Sequence, residues 1–283
     1  MTHPDAAERA ARVPRIPLND GHEIPQLGLG VYKIDDATTS EVVRTAIDLG
    51  YRHIDTAALY ENERGVGDGI RASGIDRDEL FVTTKVWHDR QGFDETLRAF
   101  DESLGRLGLD AVDLYLIHWP APSLDLYVDT WHALERLRDE GRARSIGVSN
   151  FKAHHLDRLA AESSTVPAVN QIELHPNLPQ AETRAYDAAH GIVTEAWSPL
   201  ARGTLLENPV LARIAERHGV TPAQVVLRWH LDDGTVVIPK SANPHRLAAN
   251  LDVFDFSLDD EDRAAIASLD NGHRTGKDPD LFP

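Results

Sequence analysis

Residues 112–118 have the sequence Val-Asp-Leu-Tyr-Leu-Ile-His, a run of buried-type residues that ends on a titratable side chain. Residues 53–55 (His-Ile-Asp) and 80–85 (Leu-Phe-Val-Thr-Thr-Lys) follow the same pattern. Short apolar runs of this kind are typical of strands in a buried parallel sheet. The carboxyl ends of parallel strands lie at one edge, so the pattern predicts a site that combines an acid, a phenol, an amine and an imidazole: Asp55, Tyr60, Lys85 and His118.

Strand-like and helix-like segments alternate along most of the chain. The strand candidates are residues 27–30, 52–55, 80–85, 112–117, 145–148, 168–171, 192–196 and 236–239. Helical periodicity is found between them, at residues 40–49, 93–107, 128–140, 154–161, 181–189, 211–218 and 222–231. Eight strands that each lead to a helix predict a (β/α)8 barrel, also called a TIM barrel, of typical size. A doubly wound open sheet is the alternative that the same alternation allows.

The two ends of the chain are expected to add to this barrel. Residues 1–14 are polar and alanine-rich, which predicts a flexible N-terminal arm. Residues 15–25 predict a β-hairpin, because the Asp-Gly pair between two short apolar runs suits a tight turn. Extra C-terminal helices are expected after the last strand. No linker or shift in composition divides residues 15–283, which are therefore expected to form a single barrel domain.

The composition limits the function classes. The chain has 283 residues with 29 basic and 46 acidic side chains, and its net charge of −17 argues against a nucleic-acid surface. The absence of cysteine excludes disulfides, thiolate nucleophiles and cysteine-ligated metals. The N-terminus lacks the apolar core of a secretory signal, and no apolar run approaches the ~18 residues of a membrane span. A cytoplasmic protein without nucleic-acid or membrane partners is expected.

The four side chains at the predicted edge have complementary chemistry. A phenol titrates near pH ~10, but an ammonium group beside it favours the phenolate and lowers its pKa. Asp55 would hold the Lys85 ammonium in place, and a neutral His118 would orient a substrate oxygen. Tyr60 would then donate a proton to an oxygen that gains negative charge, as in carbonyl reduction. In the alternative interpretation, Tyr60 is a packing aromatic and the acid and the amine form a structural ion pair.

Carbonyl reduction needs a hydride donor, which no side chain supplies. The glycines in residues 65–69 have the wrong spacing for a Rossmann fingerprint and follow no strand, so helix packing is favoured over phosphate binding. Residues 239–246 begin at the end of the last strand candidate and open a helix, where barrels often bind phosphate. Lys240 and Arg246 in an acidic protein favour NADPH over NADH, because the extra phosphate needs local cations. The alternative is an ordinary helix start with solvated charges.

Seven ordered segments resemble the aldo-keto reductase family, and together they cover nearly the whole chain. They are GYRHIDTAALYENERGVG (50–67), TTKVW (83–87), DLYLIHWP (113–120), RSIGVSNF (144–151), VNQIELHP (169–176), EAWSPLARG (195–203) and VIPKSANPHRLAANLDVF (237–254). The compact loops and the C-terminal sequence RTGKDPDLFP are similar to the bacterial 2,5-diketo-D-gluconate reductase-like branch. The resemblance implies a barrel that reduces aldehydes and ketones with NADPH, using a catalytic tetrad of Asp55, Tyr60, Lys85 and His118.

The resemblance also implies which residues bind the cofactor. Ser149, Asn150 and Gln171 would hold the nicotinamide carboxamide, and Trp197 would stack on the nicotinamide ring. The resemblance places Ser198 and Leu200 along the pyrophosphate of the cofactor. It places Lys240, Ser241 and Arg246 at the 2′-phosphate and adenine, and Asn250 at the adenine edge.

The substrate is expected to be a small carbonyl compound. Tyr32, Trp87 and Trp119 would line its pocket with His118, although each of these aromatics also suits a core position. The scattered histidines form no metal-binding pair, so no metal is expected. The resemblance implies a monomer. Two other functions stay open, a cofactor-sensing regulatory subunit with negligible turnover and an aldolase that uses Lys85 as a Schiff base; the charge expected on Lys85 disfavours the second.

Overall fold

The computed structural model of the protein describes residues 6–282. Its first elements are α1 (Ala6–Arg12) and an antiparallel hairpin of β1 (Arg15–Pro17) and β2 (Glu23–Pro25). Gly21 lies in the turn of this hairpin with a φ of +89°, a conformation that glycine adopts without a steric penalty. The predicted hairpin is therefore confirmed.

Parallel strands and helices then alternate along the chain. They are β3 (Leu29–Gly30), α2 (Asp36–Leu49), β4 (His53–Asp55), α3 (Glu63–Ser73), β5 (Phe81–Val86), α4 (Phe93–Leu107), β6 (Val112–Ile117), α5 (Tyr127–Asp139), β7 (Ala143–Ser149), α6 (Ala153–Glu162), β8 (Val169–Glu173), α7 (Ala181–Ala189), β9 (Val193–Trp197), α8 (Pro209–His218), α9 (Pro222–Asp232), β10 (Val236–Val237), α10 (Pro244–Leu251) and α11 (Asp260–Ala267). No helix within residues 6–282 combines the length and the apolar character needed to cross a membrane.

The eight strands from β3 to β10 form one parallel sheet in which strands that are consecutive in the chain pair with each other. The sheet closes on itself where Gly30 forms a parallel bridge with Lys240. The N–H of Gly30 donates to the carbonyl of Pro239 at 3.3 Å. A Cβ at Gly30 would lie 2.8 Å from the carbonyl oxygen of Ile238, so this closure needs a glycine. The predicted (β/α)8 barrel is confirmed.

The ends of the helices follow from local sequence. The carboxylate of Asp35 accepts the N–H of Thr38 at 2.9 Å and starts α2, which ends at Gly50 with a φ of +115°. Thr221 and Gln224 exchange hydrogen bonds in a capping box at the start of α9. Both helices thus begin where the sequence provides a cap.

The hydrophobic core has two parts. The larger part joins the strands to the surrounding helices and includes residues from α2 to α11. In the smaller part, Leu18 and Ile24 of the hairpin segment pack against residues within the barrel strands or directly before them. Those residues are Phe81, Leu114, Leu116, Ala168, Val169 and Val236. Most of them lie toward the amino ends of their strands, so the hairpin closes that end of the barrel and leaves the predicted site at the opposite end.

The prediction of a flexible arm is wrong for residues 6–12, which form α1. Arg9 is largely buried and lies 3.9 Å from Asp252, just beyond α10. Gly50 leaves room for this helix, because a Cβ at that position would lie 2.8 Å from a carbonyl oxygen of α1. Alanine and arginine are strong helix formers, and contacts with the barrel stabilise a helix that is too short to be stable alone. Residues 1–5 of the predicted arm lie outside the described part of the chain.

Three glycines let α3 pack closely against its neighbours. A Cβ on Gly67 would lie 2.0 Å from the carbonyl oxygen of Leu107 in α4. A Cβ on Gly65 or Gly69 would lie within 2.6 Å of a carbonyl oxygen of α2. These contacts confirm that the glycine-rich segment serves helix packing.

Replacement of Gly67 by alanine (Gly67→Ala) is expected to destabilise the fold by about 1–3 kcal/mol, because the added methyl group meets backbone that cannot move aside. The matched control is Gly105→Ala in the interior of α4, where a Cβ would have no atom within 4 Å. That change should stabilise the protein by about 0.5–1 kcal/mol through helix propensity. Urea unfolding followed by circular dichroism measures both; a Gly67→Ala midpoint equal to that of the unchanged protein would contradict the packing argument.

Candidate active site

A buried ion pair lies inside the barrel. Lys85 on β5 donates from Nζ to Oδ1 of Asp55 at 2.6 Å and to the backbone carbonyl of Thr56 at 2.9 Å. The exposed fractions of the Lys85 and Asp55 side chains are 0% and 2%. A buried ammonium needs such partners, since an unpaired charge in the interior is strongly destabilising. Because Lys85 is committed to this pair, the Schiff-base alternative is disfavoured.

Two further buried groups extend the ion pair across the barrel. Nε2 of Gln171 on β8 donates to Oδ2 of Asp55 and to Oε2 of Glu195, both at 2.8 Å. Nε2 of His53 lies 3.6 Å from the other carboxylate oxygen of Glu195. Neither His53 nor Glu195 is among the predicted site residues. Each precedes a predicted residue, Asp55 or Trp197, by two positions, and the period of two along a strand places such residues on one face.

Tyr60 and His118 lie next to the ion pair. Tyr60 ends a short 3-10 turn after β4, and Nζ of Lys85 lies 5.3 Å from the centre of its ring. The rings of Tyr60 and His118 meet edge to face with centroids 5.6 Å apart. The N–H of His118 donates to the carbonyl of Val86 at 3.1 Å. The structure thus brings the phenol, the imidazole and the amine together with the carboxylate of Asp55 at one edge of the barrel.

The surroundings of these groups determine their protonation. Burial, reinforced by the Lys85 ammonium, lowers the pKa of His118 well below its usual range, so the imidazole is neutral. Burial, together with the negative charge of Asp55, raises the pKa of Tyr60 well above its usual value. The expected lowering of the Tyr60 pKa is therefore wrong for this structure, because loss of solvation outweighs the ammonium. Tyr60 is a protonated phenol at neutral pH, which is the form that donates a proton.

Asn150 connects His118 to the edge formed by β7, β8 and β9. Its Nδ2 donates to the backbone carbonyl of His118 at 2.9 Å, and its Oδ1 accepts from Nε1 of Trp197 at 2.8 Å. Ser149 donates from Oγ to the carbonyl of Gln171 at 2.7 Å. Asn150 has a φ of +65°, a left-handed conformation that asparagine tolerates better than most residues. The four residues expected at the nicotinamide are therefore brought together.

The residues expected at the phosphates and the adenine are spread over the loops after β9 and β10 and over α10. Oδ1 of Asn243 accepts the N–H groups of His245 and Arg246 at 3.0 and 3.2 Å and so caps α10. These amides are already paired, and a phosphate at this helix would depend on side chains. The expected residues differ in exposure: Ser198 and Leu200 are half-buried, Lys240 and Arg246 are exposed, and Ser241 and Asn250 are buried.

Aromatic side chains flank the edge at Tyr60 and His118. The ring centroid of Tyr32 lies 4.9 Å from that of Tyr60, and Tyr32 remains 42% exposed. The ring of Trp87 meets His118 edge to face at 5.0 Å. Trp119 follows His118 directly and is buried. Of the three aromatics expected in the substrate pocket, Tyr32 contacts the phenol and Trp87 contacts the imidazole. The third, Trp119, is next to His118 in the sequence.

Comparison with known proteins gives the family. The model of the Aldo/keto reductase family matches residues 26–271. The chain belongs to the aldo/keto reductase family. This match confirms the family that the seven segments resemble.

Individual relatives of this reductase are similar over nearly their whole length. It is 52% identical over 266 residues to the glyoxal reductase of Bacillus subtilis, covering 94% of this chain and 96% of the relative. It is 49% identical over 269 residues to the methylglyoxal reductase DkgA of Salmonella typhimurium, covering 94% and 97%. A crystal structure of a Gox0644 mutant in complex with NADPH has a TM-score of 0.92 at 51% identity, covering 95% and 98%. These relatives agree with the expected bacterial branch.

In this aldo/keto reductase the C-terminal segment, residues 271–282, reaches the aromatic side chains of Trp87 and Trp119. Phe282 stacks on Trp119 with ring centroids 4.4 Å apart and 18° between the planes. It also meets Trp87 edge to face at 5.6 Å. Phe282 therefore covers Trp119 and shields it from solvent.

A buried carboxylate fixes the C-terminal segment. Glu173, at the end of β8, accepts the backbone N–H groups of Thr275 at 2.5 Å and of Gly276 at 3.0 Å. Burial alone would raise the pKa of Glu173, but hydrogen bonds from His175, Thr275 and Gly276 outweigh it and lower the pKa to about 2. The carboxylate is ionised at neutral pH and holds residues 271–282 against the barrel.

Three groups with metal-ligand chemistry meet beside the same segment. Ligand atoms of His154, His155 and Asp280 lie within 4.8 Å of one another. Nδ1 of His155 accepts the N–H of Lys152 at 3.1 Å, so Nε2 carries the proton of the neutral ring and faces Asp280 at 3.5 Å. A metal would need that nitrogen without its proton. The arrangement favours a hydrogen bond from His155 to Asp280 over a metal site. Nζ of Lys152 also donates to Asp280, at 2.6 Å.

Replacement of Glu173 by glutamine (Glu173→Gln) is expected to loosen the C-terminal segment while the barrel stays folded. The neutral amide weakens two charge-assisted hydrogen bonds, and its NH2 group opposes one of the donors, at a cost on the order of 1–3 kcal/mol. Hydrogen exchange at Thr275 and Gly276, measured by mass spectrometry at pH 7, should become about tenfold faster or more. The control is Glu182→Gln, an exposed carboxylate near the start of α7. Equal protection in both variants would show that Glu173 does not hold the segment.

Proposed function

We propose that the protein reduces small aldehydes and ketones to alcohols with NADPH as the hydride donor. The observation that carries the proposal is the setting of Tyr60, a protonated phenol between a neutral His118 and the buried Lys85 ammonium. NADPH supplies the hydride when it is bound. Family membership and the NADPH complex of a 51% identical neighbour support this cofactor.

Proton transfer belongs to Tyr60 in this proposal. As the substrate carbon accepts hydride, the carbonyl oxygen gains negative charge and takes the proton of the phenol. The Lys85 ammonium stabilises the phenolate that remains, and Asp55 keeps the ammonium in place. The neutral imidazole of His118 donates an N–H to the same oxygen and orients the carbonyl.

The edge of the barrel offers suitable groups to the cofactor. Ser149, Asn150 and Gln171 would bind the nicotinamide carboxamide, with Trp197 stacked on the ring. Nε2 of Gln171 donates to side-chain oxygens of Asp55 and Glu195, so Oε1 is the atom that would accept a carboxamide N–H. The exposed cations in a chain of net charge −17 suit the phosphate end, where the proposed residues are Ser198, Leu200, Lys240, Ser241, Arg246 and Asn250.

Small α-oxoaldehydes are the substrates that we propose. The relatives of 52% and 49% identity are a glyoxal reductase and a methylglyoxal reductase. Tyr32, Trp87 and Trp119 would line the pocket with His118, and Phe282 limits it from the side of the C-terminal segment. Flat apolar walls of this kind suit a small planar carbonyl compound held by a few polar groups.

The predicted setting of the enzyme is a further part of the proposal. The protein would act as a single barrel domain, as a monomer in the cytoplasm, and without a nucleic-acid or membrane partner. Sedimentation at the concentration used for assays tests the monomer, because a stable dimer would sediment as a species of about twice the 31.3 kDa chain mass.

Replacement of Tyr60 by phenylalanine (Tyr60→Phe) is expected to lower kcat for methylglyoxal reduction by about 10²- to 10⁴-fold, because the proton donor is lost. The dissociation constant of NADPH, measured by fluorescence titration, should stay within about twofold because the proposed cofactor contacts are unchanged. Tyr186→Phe on α7, whose hydroxyl donates to Asp157 at 2.5 Å, is the matched control and should keep full turnover. Near-normal turnover in Tyr60→Phe would overturn the proposed function.

Replacement of Arg246 by alanine (Arg246→Ala) is expected to raise KM for NADPH by about 10- to 100-fold while KM for NADH changes little, since the guanidinium is assigned to the 2′-phosphate. Arg213→Ala removes another exposed arginine, on α8, and serves as the control for loss of positive charge. Parallel kinetics with both cofactors measure the effect. An increase in KM of the same size for NADPH and for NADH would contradict a phosphate contact at Arg246.

A further inference from the structure

Glu195 is a completely buried carboxyl group that the reduction mechanism does not use. It lies on β9, where its backbone pairs with Val236 of β10. The groups that face its side chain are Gln171 from β8, His53 and Asp55 from β4, and Lys85 from β5, a set with one cation. The lysine is already paired with Asp55 at 2.6 Å. A charge on Glu195 would therefore have no counter-ion of its own.

The tautomer of His53 determines what Glu195 meets on one side. Nδ1 of His53 lies 3.4 Å from the carbonyl oxygen of Pro25, which can only accept a hydrogen bond, so Nδ1 carries the proton. Burial lowers the pKa of His53 to about 3, and the ring is neutral. Nε2 is then bare, and the hydroxyl of Thr83 at 3.3 Å is one donor that can reach its single lone pair. This bare nitrogen lies 3.6 Å from Oε1 of Glu195.

An ionised Glu195 would place a carboxylate oxygen against this bare nitrogen, and the contact would have no proton. A protonated Glu195 supplies one, because Oε1–H can point at Nε2 of His53 in place of the Thr83 hydroxyl. On the other side, Oε2 accepts from Gln171 in either state. Asp55 is not an equal competitor for the proton, since its Oδ1 accepts directly from the Lys85 ammonium.

We propose that Glu195 is a positioning residue that the barrel carries as a neutral acid at neutral pH, and that its ionisation at alkaline pH weakens Tyr60 as the proton donor. The inference rests on the proposed function of Tyr60. Glu195 thus determines the pH above which kcat/KM of the reductase falls.

The direction of the effect follows from the charges. Burial, together with the charge of Asp55, raises the pKa of Glu195 to about 8. Below that pH, Asp55 and Lys85 compensate each other and Glu195 adds no charge. Above it, one more negative charge appears in the dry interior, and the charge of Glu195 is among those that raise the pKa of Tyr60. A weaker acid transfers its proton more slowly, so reduction should slow as Glu195 ionises.

The conservative variant Glu195→Gln tests the proposal because it is a permanent copy of the neutral form. Its amide oxygen can accept from Gln171, and its NH2 group can donate to Nε2 of His53. Between pH 7 and about 9.5, kcat/KM of the unchanged protein should fall about three- to tenfold more than that of Glu195→Gln. At pH 7 the two should agree within about threefold. Glu195→Leu, which leaves Gln171 with an unpaired donor, should lose turnover at every pH.

Asp187 offers a matched control. It is also buried, and burial raises its pKa to about 7. Its carboxylate accepts from Asn170 at 3.1 Å and from Thr194 at 2.9 Å, so it joins α7 to the strands and does not contact the ion pair. Asp187→Asn removes a buried carboxyl group that titrates in the same range, and its kcat/KM profile should follow that of the unchanged protein.

Infrared difference spectra give a second readout that does not depend on turnover. In the Asp187→Asn protein, the C=O stretch of a protonated carboxyl group should disappear as the pH rises through about 8, and it should be missing from the double variant with Glu195→Gln. Absence of that band at pH 7 would overturn the proposal, as would superposable pH profiles of Glu195→Gln and the unchanged protein. Those results leave the role of Tyr60 standing if Tyr60→Phe is inactive. An active Tyr60→Phe would instead overturn the proposed function.

Discussion

The buried ion pair between Lys85 and Asp55 is the interaction on which the interior of this barrel depends. Two charges in a dry interior are tolerated only if their remaining donors and acceptors are satisfied, and here the carbonyl of Thr56 and the amide of Gln171 do this. The partners come from β4, β5 and β8. A shift in the register of β4 or β5 would leave a charge unpaired, and a shift of β8 would leave Oδ2 of Asp55 without its hydrogen bond. The same ammonium lies next to the ring of Tyr60, so the stability of the interior and the proposed acid chemistry of Tyr60 depend on one contact.

Much of the fold could be predicted because the chain marks its elements locally. Strand Val112–Ile117 and helix Phe93–Leu107 agree with the expected bounds, since turn and cap residues such as Gly108 interrupt the periodic pattern. The first and last barrel strands are only two residues long, because closure of the barrel, and not local composition, decides their pairing. Helix α1 could not be predicted, because polar sequences of this kind are shared by disordered segments and by helices that tertiary contacts stabilise.

The candidate site could be predicted where a polar residue follows an apolar run, as at Lys85 and His118. Glu195 was not predicted because it lies within a strand, where composition does not tell which face of the sheet a polar residue occupies. The contact between Glu173 and Thr275 spans 102 residues of sequence, and nothing local marks either end of it. The direction of the Tyr60 pKa could not be foreseen either, because the depth of burial decides it and depth is a property of the folded chain.

Asn150 makes the two halves of the site one unit. Its side chain accepts from Trp197, which is assigned to the cofactor, and donates to the backbone of His118, which is assigned to the substrate. A left-handed φ at a residue other than glycine costs on the order of 1 kcal/mol, and it persists where the surroundings determine the conformation. Here the hydrogen bonds to His118 and from Trp197, one at each end of the Asn150 amide group, determine that conformation. A movement of Trp197 therefore acts on the same side chain that holds His118, and the residues proposed for proton transfer and for cofactor binding are not independent of each other.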